Sequence, residues 1–439
     1  METNKIPEAD GEISAGRAGG AKLVLCVILL CGAFGEFLVR GVLPAPENSA
    51  DFAVFYTDAR AWAQGTNPYD VDNLKRIARE AGGVREGSLQ NSAYPPATFV
   101  IVAPIAMLPW SAAKIALAAL NTTAVLVMVY SLVQLAGLKF TEPAGILLAA
   151  GALALAPVHT GLRIGQLTPM LGGCLVLAYL LEDRHRIWLG GLLLAIATAL
   201  KPQIGAVFIA FEYVRGRFGV VLSATLLTAL VFVVAIGWLG LNEVNWWQSW
   251  QHNYRNFMHG GAGDPGMSNP GRFQLLNLHY PLSAFITGET VVNIIALSFV
   301  GAVGIAAFAA LLRVRTLNGE LLGMSVFGVL SLLAVYNRYY SAILLVFPLA
   351  WATVQLRRGL RTLPAIVLAL VAVFLAPSAT ILNVLAEKGA LPEAVAGSWW
   401  WQRLVMPHQV YALAAMSICL VIASWQERQC CRLAAAAGA

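Results

Sequence analysis

The chain has 439 residues, of which 58% are hydrophobic and only 12% charged, against about 25% charged residues in an ordinary soluble domain. Such a composition excludes a soluble enzyme, a disordered chain and a collagen-like repeat. The net charge of +6 comes from 29 Lys and Arg against 23 Asp and Glu. In so apolar a chain that excess belongs to cytoplasmic loops rather than to a nucleic-acid surface.

Residues 1–20 are polar and glycine-rich, and the first apolar run begins at Lys22. It outruns a signal-peptide core and lacks a clean small-residue cleavage site, which predicts a retained first helix. Further apolar runs fall near 97–110, 111–136, 143–158, 167–181, 187–200, 203–214, 218–241, 291–312, 321–336, 340–356, 363–384 and 405–424. Polar regions at 44–96, 242–290 and 385–404 interrupt them. No internal repeat or soluble domain boundary is visible. The expected organisation is a cytoplasmic tail over 1–21, one integral membrane domain over 22–424, and a second cytoplasmic tail over 425–439. Cys26, Cys31, Cys174 and Cys419 lie in apolar runs and Cys430 and Cys431 follow the last one, so no structural disulfide is expected.

Charge decides the topology. Lys139, Arg184 with Arg186, Arg215 with Arg217, Arg313 with Arg315, and Arg357 and Arg358 with Arg361 sit in short connections, and Arg428 and Arg432 in the tail. All fall on the cytoplasmic side if one run between 44–96 and Lys139 fails to cross. The 97–110 run is short, follows Pro95-Pro96 and contains Pro104 and Pro109, so it is the expected re-entrant or short helix. The fold class is therefore an all-α polytopic membrane protein. About twelve transmembrane helices are expected, with interfacial helices in the first external loop and both termini cytoplasmic. The same choice gathers the polar regions, Arg163 to Gln166, Lys201-Pro202 and Asn337 to Tyr340 on one external face.

The polar residues on that face are the candidate chemistry. In DFAVFYTDARAW at 51–62, Phe52, Phe55, Tyr56, Ala59 and Trp62 recur at helical spacing, with Asp51 and Asp58 on another stripe. This predicts an amphipathic helix resting in the membrane interface, its carboxylates turned toward water or a cleft. The alternative for Asp51 is a helix N-cap. Tyr69 in GTNPYD and Tyr94 in AYPPATF accompany turn-forming prolines and read as interface anchors. A lysine such as Lys201, wedged between apolar runs, costs about 2.5–3.5 kcal/mol at mid-bilayer depth, so an anion ligand is its expected role. Arg163, Gln166 and Arg338 pose the same question. Three cations and an acidic helix on one face suit a phosphate-bearing ligand. The glycine- and proline-rich stretch 260–272 predicts a mobile, lid-like segment, with Arg272, Asn269 and His279 as further contacts. Trp246, Trp247, Trp250 and Trp399 to Trp401 read first as interface aromatics and second as sugar-stacking rings. No metal-ligand cluster, P-loop or dinucleotide fingerprint is present, so no metal or cofactor is expected.

The order of these segments resembles the polytopic membrane glycosyltransferases of family 87, with the GT-C fold. The shared elements are Asp51-Phe52 after the first helix, Gly65 to Tyr69, Tyr94 to Pro96, Gly165-Gln166 and Lys201-Pro202. The resemblance implies transfer of a mannose- or arabinose-like sugar from a polyprenyl-phosphate donor to a lipid or glycan acceptor, on the external face of the plasma (inner) membrane. It implies Asp51 as general base; direct displacement then predicts inversion, and Lys201, Arg338 and either Arg163 or Arg272 are expected to stabilise the departing phosphate. Asp58, Gln166, Tyr94, His279 and Tyr339 complete the expected substrate-binding set. Many members carry a His in the stretch corresponding to 335–342; here it reads Tyr336, Asn337, Arg338, Tyr339, Tyr340, so that contact is not carried over. A secondary transporter, which would show an internal repeat, and a lipid-linked polysaccharide ligase or polymerase are the competing readings. Beyond donor, acceptor and membrane lipids no partner is expected, and no nucleic acid.

Overall fold

The computed structural model describes residues 9–84, 89, 92–312, 314 and 316–437. Arg313 and Arg315, expected in a basic loop, lie outside the described residues. Helices form essentially all the regular structure. The first half contains α1 (Ala9–Phe37), α2 (Ala50–Ala63), α3 (Val71–Ala81), α4 (Pro96–Ala106), α5 (Trp110–Leu135), α6 (Pro143–Ala154), α7 (Ala156–Arg163), α8 (Thr168–Asp183), α9 (Ile187–Leu200) and α10 (Pro202–Val214). The second contains α11 (Phe218–Leu241), α12 (Trp246–Met258), α13 (His279–Ser283), α14 (Glu289–Leu311), α15 (Leu317–Ala334), α16 (Val346–Arg357), α17 (Thr362–Ala372), α18 (Ser378–Glu387), α19 (Glu393–Ala396) and α20 (His408–Ala437).

Among the described residues, seven helical segments are long and apolar enough to cross a membrane: Gly20–Val42, Trp110–Leu135, Phe218–Leu241, Glu289–Leu311, Leu317–Ala334, Tyr339–Arg357 and His408–Ala436. An eighth is possible by length if α6 and α7, bent by 45°, form one broken span. This is fewer than the apolar runs suggested, and proline is much of the reason. The residue before a proline is steered out of the helical region. Lys201, before Pro202, is extended (φ −146°, ψ 88°), so α9 ends at Leu200 and α10 starts afresh, and both are shorter apolar helices than the seven long segments. Pro157 has no N–H to continue the ladder of α6; it sits in the first turn of α7, whose N-cap Leu155 is extended (φ −61°, ψ 118°) and separates α6 from α7. The 97–110 run yields only the eleven residues of α4, with Pro95 extended at its N-cap and Pro104 inside.

The packing has a centre and an apolar rim. The span Tyr339–Arg357 has 89% of its apolar window buried, whereas Phe218–Leu241 and Glu289–Leu311 have 22% each, leaving broad apolar faces outward. α5 packs on α8, α8 on α9, and α9 on α11; α1 packs on α6, while α15 touches α10, α14, α16 and α20. At one end of α10, Arg215 is nearly buried and pairs with Glu212 at 2.7 Å and with Glu320. Arg217 joins Glu182 at 2.9 Å and Glu320 at 3.0 Å. Two guanidinium groups thus tie α8, α10 and α15 beside the start of α11.

The helix α2 forms where the apolar spacing places it, with its apolar residues packed against protein. α4 and α3 pack against it, and Phe52, Phe55, Tyr56, Thr57, Asp58 and Ala59 are all buried. Its N-cap is Ser49, with Asp51 inside the first turn, which removes the N-cap reading of Asp51. Tyr69 is held by its hydroxyl donating to Tyr94 O at 2.7 Å, while its own carbonyl accepts from Asn253 Nδ2 at 2.9 Å. The GTNPYD and YPP elements therefore brace α12 onto the first polar region.

Candidate active site

The helix break at Lys201, the turn after α7 and the break after α15 open into one cavity of about 310 Å³, within the size range of ligand pockets. Asp51, Tyr94, Gln166, Lys201 and Arg338 all line it. These five come from five separate stretches of chain, so only the tertiary fold joins them.

Each is positioned by local backbone chemistry. Asp51 sits in the first turn of α2, its N–H donating to Ile164 O at 3.0 Å, and its Oδ2 accepts from Gln166 Nε2. Gln166 follows Gly165, which ends α7 in the left-handed conformation (φ +71°). The turn is closed by Gln166 N–H to Gly161 O at 2.9 Å and Gly165 N–H to Leu162 O at 3.1 Å, the pattern that glycine terminates best. A Cβ on Gly165 would lie 2.7 Å from Phe52 Cβ, so glycine also permits the approach that brings Gln166 to Asp51.

Lys201 is 3% exposed. Its Nζ donates to Ser341 Oγ at 3.1 Å and stands 4.6 Å from the centre of the Tyr340 ring, a cation–π position. Arg338 is fixed through its neighbours. Leu276 N–H donates to Asn337 O at 2.9 Å and Asn337 Nδ2 to Ser331 O at 2.8 Å, with an isolated bridge between Leu275 and Arg338. The Arg338 Nε–H is buried without a protein acceptor.

Burial raises the Asp51 pKa above the ordinary carboxylate value, opposed by the Gln166 hydrogen bond and the charges of Arg338 and Lys201. Burial lowers the Lys201 pKa, with Asp51 pulling it back up and Arg338 adding to the fall. The site therefore pairs a carboxylate of heightened basicity with two cations. The opposite wall is apolar and aromatic, built by Val54 and Phe55 of α2, Phe257 and Met258 of α12, and Val335. Such a space suits an anionic group carried on an apolar stem.

The other expected contacts lie elsewhere. Arg163 is exposed and does not reach the cavity, because the Gly165 turn reverses the chain between it and Gln166. Asp58, expected to face water or a cleft, is completely buried, and neither carboxyl oxygen has a hydrogen-bonding partner in good geometry. Burial drives its pKa well up, with nearby Ser92 opposing. Arg272 is buried against Gln402 at 2.9 Å and Met267, and lies over the Tyr280 ring, so it ties two polar regions together instead of facing substrate. His279 starts α13, away from the cavity. Tyr339 turns away from Tyr340: its hydroxyl donates to Ala376 O at 2.9 Å and its ring stacks on Phe374. The 260–272 segment, expected to be a loose lid, is knotted by Asp264, which accepts from Gly260 N–H and Gly266 N–H at 2.7 Å each.

The cavity also contains residues that the sequence reading passed over: Ser92, Tyr336, Tyr340 and the Tyr254, Phe257, Met258 end of α12. The one signal for the last group is the spacing of Trp247, Trp250, Tyr254 and Phe257 along one helical face. Among the described residues no three His, Cys, Asp or Glu side chains converge as a metal site would require.

Two curated relatives, each named alpha-(1->3)-arabinofuranosyltransferase, from two strains of Mycobacterium tuberculosis, are 28% identical over 189 residues. The match covers 39% of this chain and 42% of theirs, so the chain spans less than half the length of those relatives. No solved structure matches. The model of glycosyltransferase family 87 matches residues 93–336, more than half of the sequence, including Tyr94, Gln166 and Lys201. This chain belongs to glycosyltransferase family 87, a family of membrane glycosyltransferases.

Proposed function

We propose that the protein moves a pentose or hexose, arabinose- or mannose-like, from a polyprenyl-phosphate donor to a hydroxyl of a lipid or glycan acceptor on the external face of the membrane. The observation that carries this reading is the convergence of Asp51, Lys201 and Arg338 on one cavity with an apolar wall. Asp51 takes the acceptor proton while the acceptor oxygen attacks the anomeric carbon. The bond to the phosphate oxygen breaks, its electron pair leaves with the phosphate, and Lys201 and Arg338 stabilise the charge that accumulates there. Direct displacement inverts the anomeric centre. The name of the two Mycobacterium tuberculosis relatives, alpha-(1->3)-arabinofuranosyltransferase, supports a pentose as the first donor to try.

In this reading about twelve segments cross the bilayer, the α9–α10 break faces outward, and both termini are cytoplasmic. Purified protein incubated with labelled polyprenyl-phosphate arabinose or mannose and a glycolipid acceptor should give labelled product. Asp51→Asn should remove at least 100-fold of the rate, within the usual range for a general base, with donor binding retained. Normal turnover by that variant overturns the assignment.

A further inference from the structure

One of the two Asp51 carboxyl oxygens is already engaged. Gln166 Nε2 donates to Oδ2, and Gln166 is itself held at both ends of its backbone. Asn121 Nδ2 donates to its carbonyl at 2.8 Å, and its N–H donates to Gly161 O at 2.9 Å. Residues fixed in this way do not swing freely, so the amide holds the carboxylate in one orientation. The Tyr94 hydroxyl stands beside the same amide, but not in hydrogen-bonding geometry to its oxygen. Gln166 is 2% exposed and lines the cavity, yet its buried Oε1 has no hydrogen-bond partner. A buried amide oxygen left alone is uncommon in native structures and calls for a donor. Inside a cavity, the donor that fits is a hydroxyl of the ligand.

We propose that Gln166 is the positioning residue of this site: its amide N–H fixes Asp51 so that Oδ1 is the proton-accepting oxygen, and its Oε1 accepts from a second hydroxyl on the acceptor saccharide. The inference rests on Asp51 being the base. In the step itself the acceptor proton passes to Asp51 Oδ1, the new C–O bond forms, and the phosphate departs with the old bond's electron pair; Gln166 gives up no proton and no electrons. It selects an acceptor that carries a hydroxyl beside the reacting one.

The pH profile separates positioning from mere packing. Asp51 is surrounded by Lys201 at the α9–α10 break, by Arg338, Tyr336 and Tyr340 after α15, and by Tyr94 ahead of α4. Lys201, Arg338 and the Gln166 amide all favour its ionised form. Removing the amide donor must therefore raise the proton affinity of Asp51, whereas a packing defect lowers activity equally at every pH.

Full-length Gln166→Met, close in volume but without hydrogen bonds, and Gln166→Asn, one methylene shorter, are to be compared with wild type. The readouts are kcat/KM against pH and the thermal midpoint. The acid limb should move upward by about one pH unit in both variants. An acceptor lacking the neighbouring hydroxyl should lose about tenfold with wild type and almost nothing with Gln166→Met. An acid limb that stays in place in a folded variant overturns the proposal, and if Gln166→Met fails to fold, Gln166→Asn is read alone. Asp51→Asn separates the two readings. Inactivity of Asp51→Asn together with an unmoved acid limb in the folded Gln166 variants rejects the role of Gln166 only, whereas full activity of Asp51→Asn rejects Asp51 as the base.

Discussion

Two glycines in this chain offer a matched pair for measuring what holds the site together. Gly165 and Gly389 share φ +71°. Each closes a helix with the same bond pattern: Gln166 N–H to Gly161 O, and Ala390 N–H to Leu385 O, both at 2.9 Å. An alanine in either place meets the left-handed penalty of about 1–2 kcal/mol. The surroundings differ. Nothing lies within 4 Å of a Cβ on Gly389, but one on Gly165 sits 2.7 Å from Phe52 Cβ and 3.5 Å from Ser49 Cα. Overpacking of that kind adds about 1–3 kcal/mol. Gly165→Ala should therefore be destabilised by about 2–5 kcal/mol, and Gly389→Ala by the backbone penalty alone. Thermal unfolding of the two variants in the same detergent reads the difference. Transfer should follow stability at one site only, because moving Phe52 drags Asp51 from Gln166, and a 1 Å misplacement can cost about 100-fold. Equal midpoints for the two variants would refute the claim that Gly165 exists to let α2 and the α7 turn touch.

Two further outcomes follow from charge. Because burial lowers the Lys201 pKa, the ammonium is lost as pH rises through a value below that of a free lysine, and transfer should fall on the alkaline side with it. Lys201→Arg, which stays protonated, should extend activity to higher pH, and Lys201→Met should cost about 10²–10³-fold at all pH; an alkaline limb unchanged by the arginine variant would exclude Lys201 as its source. Asp58 concerns stability instead. Its raised pKa means that the folded state favours the protonated acid, so stability is full below the unfolded pKa of about 3.9 and declines as pH rises toward the folded value. Asp58→Asn, neutral throughout, should raise the thermal midpoint at pH 7 and lose that advantage near pH 4; a variant destabilised at pH 7 more than near pH 4 would show that the ionised carboxylate is needed.

The polar residues that line the cavity were legible for one reason: Asp51, Tyr94, Gln166, Lys201 and Arg338 each interrupt or flank an apolar stretch where a polar side chain is costly. What sequence cannot give is the direction in which such a side chain points. Arg163 and Gln166 are three residues apart and looked equivalent, yet a single left-handed glycine sends one outward and the other into the cavity. Asp58 shares a helical face with Asp51, but that face is open at one end and covered at the other by the segment carrying Ser92. Arg272 looked like a substrate contact because its partner Gln402 lies 130 residues along the chain. Helices were foreseen from apolar periodicity, while their lengths were not, since prolines at 157 and 202 cut apparent spans into shorter pieces. Trp246, Trp247 and Trp250 of α12 were read as interface aromatics and the Tyr254 and Phe257 end was passed over, because rings that face lipid and rings that face a cavity have the same composition.

The guanidinium clamp of Arg215 and Arg217 sits at the C-terminal end of α10, and Lys201 stands at its N-terminal end, with the thirteen residues of the helix between, about 20 Å at helical rise. One end of the lever is bolted and the other borders the ligand. Any widening that admits a bulky headgroup must then be a splaying of helix tips about a fixed fulcrum, as in tweezers, with the far ends of α8, α10 and α15 hardly moving.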